Sequence, residues 1–350
     1  MSSEPLITLE PVARSQPIPL GPWKRNWTLA ISWLKFAVRY LLASLQPSRW
    51  QSIAAPAIAI ENTSVCNSRC VFCPNGIMQR PRQAMSTDVF KKTVDDSIAI
   101  GARDIDFSVM IGDPLLDPRL LERARYLRTY PHLRDMGFTT TLQWLHLFDI
   151  DEFFDCRFTW ITVSTTLSGP ERYHDFFGVD HYDQMLANLV TLLKENNRRG
   201  NPLIVNLSIK PTPEPRRQIL NHPDFQLVQS LTTQNLRKIV KREAFFVMDW
   251  GGGVQLPSFL RLYPLWPRKR RPCGRLLQFL MVYSNGKVGA CNCVDYEASS
   301  DLILGDIREQ SLGEMWKGPQ LQQMRDDWRA GTKIPIVCQF CRMYRPGPAH

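Results

Sequence analysis

From residue 56 onward, two kinds of apolar pattern alternate along the chain. Ala57–Asn62, Asp104–Met110, Arg134–Thr141, Phe158–Ser164, Leu203–Ile209 and Ala244–Asp249 are short runs of strand length. In the second of these Ile105, Phe107 and Val109 alternate with polar neighbours, and in the fourth Ile161 and Val163 do so, the period-two signature of a strand. Between these runs the spacing is helical. Val89, Phe90, Val94 and Ile98 share a face behind a Ser86 or Thr87 cap, and Gly101 stops the helix. Asp117-Pro118 opens a second helix with Leu120, Leu121, Ala124 and Leu127 on its buried side. Met185, Leu186, Leu189, Val190 and Leu193 make the longest helical stripe. Strand-then-helix repeated six times fills about 195 residues, against about 250 for a closed eight-unit barrel. The pattern therefore predicts an α/β fold, an open partial (β/α)6 TIM-like barrel over residues 56–250.

The flanks read differently. Residues 1–23 are Pro-rich and polar (Pro5, Pro11, Pro17, Pro19, Pro22) and read as a flexible arm without a signal peptide. Residues 24–47 are apolar around most of a helix, with Lys35 and Arg39 on one face. Three readings stand for that segment. It docks on the protein's own core or a subunit interface, it lies on a membrane surface as a basic amphipathic helix, or it spans a membrane, which two mid-segment charges disfavour. Residues 251–272 read as a Pro-rich basic linker ending in Arg268-Lys269-Arg270-Arg271. A second unit covers 273–341, and 342–350 is a tail. In that unit Phe279–Tyr283, Ser284-Asn285-Gly286 and Lys287–Cys291 read as a hairpin, and Ser311–Trp316 opens a helix.

A hydrophobic content of 44% against 22% charged predicts an ordinary packed core. The net charge of +10 suits an anionic substrate, an acidic peptide, a phospholipid surface or simple solvation. It suits nucleic acid as well, but against that partner the basic residues are scattered and no RNA-binding module is visible. Eight of the nine cysteines fall in two groups, Cys66, Cys70, Cys73 and Cys273, Cys291, Cys293, Cys338, Cys341. Such clustering fits metal ligation in a reducing, cytoplasmic setting better than a disulfide framework. Membrane association through 24–47 stays open beside it. Cys156, the ninth, reads as a buried apolar residue.

The first group carries the chemistry. Cys66, Cys70 and Cys73 are spaced C-x3-C-x2-C, with Pro74 following. An iron–sulfur cluster normally takes four thiolates, so three on one loop leave one iron open to a cofactor or substrate. This loop resembles the signature of the radical S-adenosylmethionine (SAM) superfamily. The resemblance implies a [4Fe–4S] cluster whose open iron binds SAM and whose electron cleaves it, giving a 5′-deoxyadenosyl radical that abstracts a substrate hydrogen. It also implies SAM contacts from Phe72 beside the third cysteine, from Gly112-Asp113-Pro114 in place of a Gly-Glu-Pro stretch, and from Ser164 at the end of the fourth strand. Two departures accompany it. Ile111 stands where a second Gly is usual, and Thr139-Thr140-Thr141 stands where many members carry Thr-Asn-Gly.

The second group resembles the twitch/SPASM extensions of the same superfamily, through Cys273, Gly286 and Cys291, then Gly305-Asp306-Ile307, Met315-Trp316 and Cys338-x-x-Cys341. The resemblance implies one auxiliary [4Fe–4S] cluster on Cys273, Cys291, Cys338 and Cys341, with Cys293 a competing ligand. Taken alone, four such cysteines would also suit tetrahedral zinc. The expected activity is an oxidation or crosslinking of a peptide or small molecule, fed by an external electron donor of flavodoxin or ferredoxin type. Such an oxidation needs a base, and Asp249, at the end of the sixth predicted strand, is the candidate. An RNA-modifying enzyme and a non-catalytic iron–sulfur carrier or sensor are the alternatives. A carrier would need neither six βα units nor a SAM-sized cleft.

Overall fold

The computed structural model describes residues 55–345, except 108–109, 211–213, 215, 233–235, 241–245, 258–259, 264 and 267, together with Leu34, Ala37, Val38 and Leu41. The expected N-terminal arm, nearly all of the 24–47 segment and the end of the tail lie outside the described residues. No helix among the described residues is long and apolar enough to cross a membrane.

Eleven strands lie among the described residues. They are β1 (Ala57–Ile60), β2 (Ile105–Asp106), β3 (Gly137–Thr140), β4 (Trp160–Thr165), β5 (Ile204–Ile209), β6 (Leu236–Val240), β7 (Phe246–Val247), β8 (Arg261–Leu262), β9 (Phe279–Val282), β10 (Lys287–Gly289) and β11 (Ile303–Asp306). β1 pairs in parallel with β2, and β3, β4, β5 and β6 pair in parallel in chain order. Isolated parallel bridges, Asp104 to Asp135 and Phe107 to Phe138, join β2 to β3. The six strands thus follow one another around an open arc, the partial barrel the pattern predicts.

Helices cover the outer face. Ser86 caps the first, Thr87–Ala99, by accepting from Val89 N, and the helix buries Phe90 and Val94. Those side chains pack with Ile58 and Ile60 of β1, while Ala59 between them faces the other way, among Met78, Met110, Met281 and Tyr283. The alternation along β1 therefore separates a helix-facing layer from a lumen-facing one.

The sixth strand is a correction. It was expected at Ala244–Asp249, but the strand beside β5 is Leu236–Val240, and Phe246–Val247 pairs instead with Arg261–Leu262. Arg237 and Lys238 interrupt the apolar run of β6 and hide it from a hydrophobicity reading.

The C-terminal unit is joined to the barrel through its sheet. β9 lies parallel to β1, with Ile58 opposite Leu280 and Ile60 opposite Val282. β10 returns antiparallel through the Ser284-Asn285-Gly286 turn, where Gly286 takes a φ of 88°. The expected hairpin therefore forms and extends the barrel sheet beyond β1. A buried ion pair fastens the same junction. Arg80 Nη1 and Nη2 donate to Glu61 Oε1 and Oε2 at 2.6 and 2.7 Å, and Ser284 Oγ donates to Glu61 Oε1 at 2.9 Å. The helix expected from Ser311 spans Leu312–Lys317, with Ser311 and Glu314 capping each other reciprocally.

Candidate active site

The Cys66–Cys73 loop leaves the C-terminal end of β1, the end at which a barrel of this kind presents its chemistry. Its backbone is tied to the neighbouring helix end: Arg69 N donates to Phe177 O at 2.8 Å and Val71 N to Phe176 O at 3.0 Å. Asn75 Nδ2 donates to Ser68 O at 2.7 Å and to Cys66 O at 3.2 Å. Gln143 braces the loop from the far side, donating to Ser68 Oγ at 3.1 Å and accepting from Asn67 Nδ2 at 3.0 Å.

The three thiols are half-buried and close enough to act on one another. Burial pushes Cys66 up to about 12, with the Asp113 carboxylate as the next cause. Cys70 is pushed well above its usual range by burial and then by the Cys73 and Cys66 thiols. Burial raises Cys73 to about 11. Three thiols side by side on one loop fit an iron centre, whose positive charge displaces their protons and compensates the thiolates it binds.

Gly112 approaches this loop so closely that a Cβ would lie 2.2 Å from Thr63 O, and its φ is 132°, so only glycine fits. Asp113 N donates to Val65 O at 2.9 Å, one residue before Cys66. The Asp113 carboxylate is buried and engaged by the protein. Oδ1 accepts from Leu115 N at 3.1 Å and Thr140 Oγ1 at 2.7 Å, and Oδ2 accepts from Thr141 N and Thr141 Oγ1, each at 2.8 Å. Asp113, which stands in place of a Glu, thus meets the Thr140-Thr141 departure in one cluster, and Ile111 is not part of it. Ser164 on β4 lies half-buried, in register with Ser208 on β5. Lys210 just beyond β5 donates to Ser208 Oγ at 3.1 Å and stands 5.2 Å from the centre of the Phe72 ring. Sequence reasoning missed Gln143 and Lys210. The signal for both was position, since each follows the C-terminal end of a barrel strand.

In the second group, Cys273, Cys291, Cys293, Cys338 and Cys341 line a single cavity with Arg275, Trp328 and Tyr344. Among the described residues no three Cys, His, Asp or Glu side chains converge as a single metal ion requires. Sulfur donors around one cavity suit a multi-iron cluster. Cys291 and Cys293 share a hydrogen bond, which pushes Cys291 up and pulls Cys293 down. Cys156 is buried, with Sγ facing Leu121 O, as the sequence implied.

One dipeptide contacts a chain neighbour of each cysteine group. Trp250 Nε1 donates to Phe72 O at 2.9 Å, beside Cys73. Asp249 Oδ2 accepts from Arg342 Nε at 3.0 Å, beside Cys341. Asp249 is buried, and its Oδ1 has no hydrogen-bond partner among the described residues.

Parts of this chain match known protein families. The radical SAM superfamily model matches residues 60–221, and SPASM, an iron–sulfur cluster-binding domain, matches residues 273–342. None of the curated proteins compared with the chain matches it. Among solved structures, BtrN in complex with AdoMet and 2-DOIA is 14% identical, with a TM-score of 0.55, over 83% of this chain and 93% of that one. Native anSMEcpe with bound AdoMet is 13% identical, with a TM-score of 0.51, over 83% of this chain and 89% of that one. These two share the fold. The matched regions together make this chain a radical SAM protein with a C-terminal SPASM-type iron–sulfur domain.

Proposed function

We propose that the chain carries out a SAM-dependent radical oxidation or crosslinking of a peptide or small molecule, with Asp249 as the base and a second cluster as electron acceptor. The observation that carries this reading is the Asp249-Trp250 dipeptide, which contacts Phe72 on one side and Arg342 on the other. In this reading Cys66, Cys70 and Cys73 hold the first cluster, and Cys273, Cys291, Cys338 and Cys341 hold the auxiliary one. Bound together, the first cluster and SAM supply the 5′-deoxyadenosyl radical that abstracts hydrogen.

The chain's own residues do the rest. Gly112 brings its backbone against the loop, and Asp113 spends its carboxylate on Thr140 and Thr141, so SAM meets main-chain groups of Gly112-Asp113-Pro114. Phe72 and Ser164 border the same space. Arg342 holds one oxygen of Asp249, leaving Oδ1 to take a proton. Trp250 fixes that carboxylate relative to the cysteine loop. An external one-electron donor of flavodoxin or ferredoxin type completes the system.

Anaerobic reconstitution tests the two-cluster arrangement. Two clusters predict about eight irons per chain, and Cys338→Ala about four with SAM cleavage retained. A wild-type count near four sinks the auxiliary cluster.

A further inference from the structure

The run Arg268-Lys269-Arg270-Arg271 reads in sequence as a solvated or anion-holding linker. The structure separates its members. Arg268 and Arg270 are exposed, whereas Lys269 is only 6% exposed. Its ammonium donates to three main-chain carbonyls, those of Cys338, Gln339 (2.9 Å) and Cys341 (2.7 Å). All three N–H donors are thereby used, and all on the turn that presents two cysteines of the second group. The lysine is itself fixed. Trp328 Nε1 donates to Lys269 O at 2.7 Å, and Nζ stands 5.8 Å from the centre of the Tyr344 ring, which stacks on Trp328.

A lysine is almost never buried unless it is paired. The thiols of Cys341, Cys338 and Cys273 lie near this one and become anionic when they bind iron, with Arg342 opposing. A buried ammonium is matched there once those sulfurs carry the negative charge of a thiolate-bound cluster. We infer that Lys269 is a positioning residue for the auxiliary cluster. It shapes the Cys338–Cys341 turn and sets a fixed positive charge beside the cluster, raising its reduction potential. The inference rests on the two-cluster reading above and adds to it how the second cluster is tuned, since charge and hydrogen bonding are what set such potentials.

The test is a potentiometric titration of the reconstituted full chain, followed by electron paramagnetic resonance, with iron counted in each sample. Lys269→Gln keeps an N–H donor for the turn but removes the charge. It is expected to retain iron, to shift the auxiliary signal to lower potential and to leave the first cluster unmoved. Lys269→Arg keeps the charge and is expected to titrate near wild type. An unchanged auxiliary potential in a fully loaded Lys269→Gln overturns the inference, and so does an equal shift in both variants. Should Lys269→Gln lose the auxiliary iron, Lys269→Arg decides: retention at wild-type potential supports the role of the charge, and loss there too overturns it. Failure of the two-cluster reading is distinguishable, because it appears as a low iron count in the wild type.

Discussion

The Thr140 hydroxyl donates to the Asp113 carboxylate, 2.7 Å from Oδ1 and 2.9 Å from Oδ2. Burial raises the Asp113 pKa, and the Thr141 and Thr140 donors pull it back. The carboxylate therefore works as an internal brace, joining the segment after β2 to the segment after β3. Asp113→Ala strands these buried donors, at about 1–3 kcal/mol for each group left unpaired. Asp113→Glu is also expected to destabilise, by about 1–3 kcal/mol, because an added methylene overpacks the site. This holds although Glu is the family's usual residue there. Urea denaturation of the purified chain measures both, and an Asp113→Glu variant as stable as wild type contradicts the coupling.

The Glu61–Arg80 pair makes a second prediction. Arg80 is buried between β1 and the C-terminal hairpin, also donating through Nε to Tyr296 O at 2.6 Å. Arg80→Met leaves the Glu61 charge buried alone, and the expected loss is about 3–5 kcal/mol. Glu61→Met combined with Arg80→Met is expected to recover most of it. A single variant within experimental error of wild type in denaturant midpoint would falsify the clamp.

Trp250→Phe removes the bond to Phe72 O while keeping an aromatic ring. A single lost hydrogen bond of about 1 kcal/mol corresponds to roughly fivefold weaker binding. Calorimetric SAM binding to the cluster-loaded variant checks this, and unchanged affinity separates Trp250 from the SAM site.

Asp249→Asn addresses the base. With any substrate that stimulates 5′-deoxyadenosine release, hydrogen abstraction is expected to continue while product formation falls by about 100-fold or more. Equal losses of 5′-deoxyadenosine and product would assign Asp249 to structure instead.

Much of the barrel is legible along the chain because its signals are local. Ser86 caps the first helix and the Met185–Leu193 stripe lies within Tyr182–Arg198, both as periodicity and capping chemistry dictate. The cysteine spacings are local too, and they announce both cluster domains. What the chain hides is non-local. Nothing in Phe279–Val282 tells that it will lie parallel to β1, about 220 residues earlier in a chain whose strands otherwise pair with near neighbours. Lys269 sits in a basic run that composition assigns to solvent, and only the folded Cys338–Cys341 turn draws it inside. Thr140 and Thr141 look like departures until Asp113 is seen to accept from both. Arg237 and Lys238 interrupt the apolar run of β6 and disguise it in the sequence.

The most direct test of the central claim is SAM cleavage by the reconstituted, reduced protein under anaerobic conditions. The account predicts that wild type releases 5′-deoxyadenosine and that Cys70→Ala releases none. Release by Cys70→Ala at the wild-type rate, or none from a fully iron-loaded wild type, would contradict it.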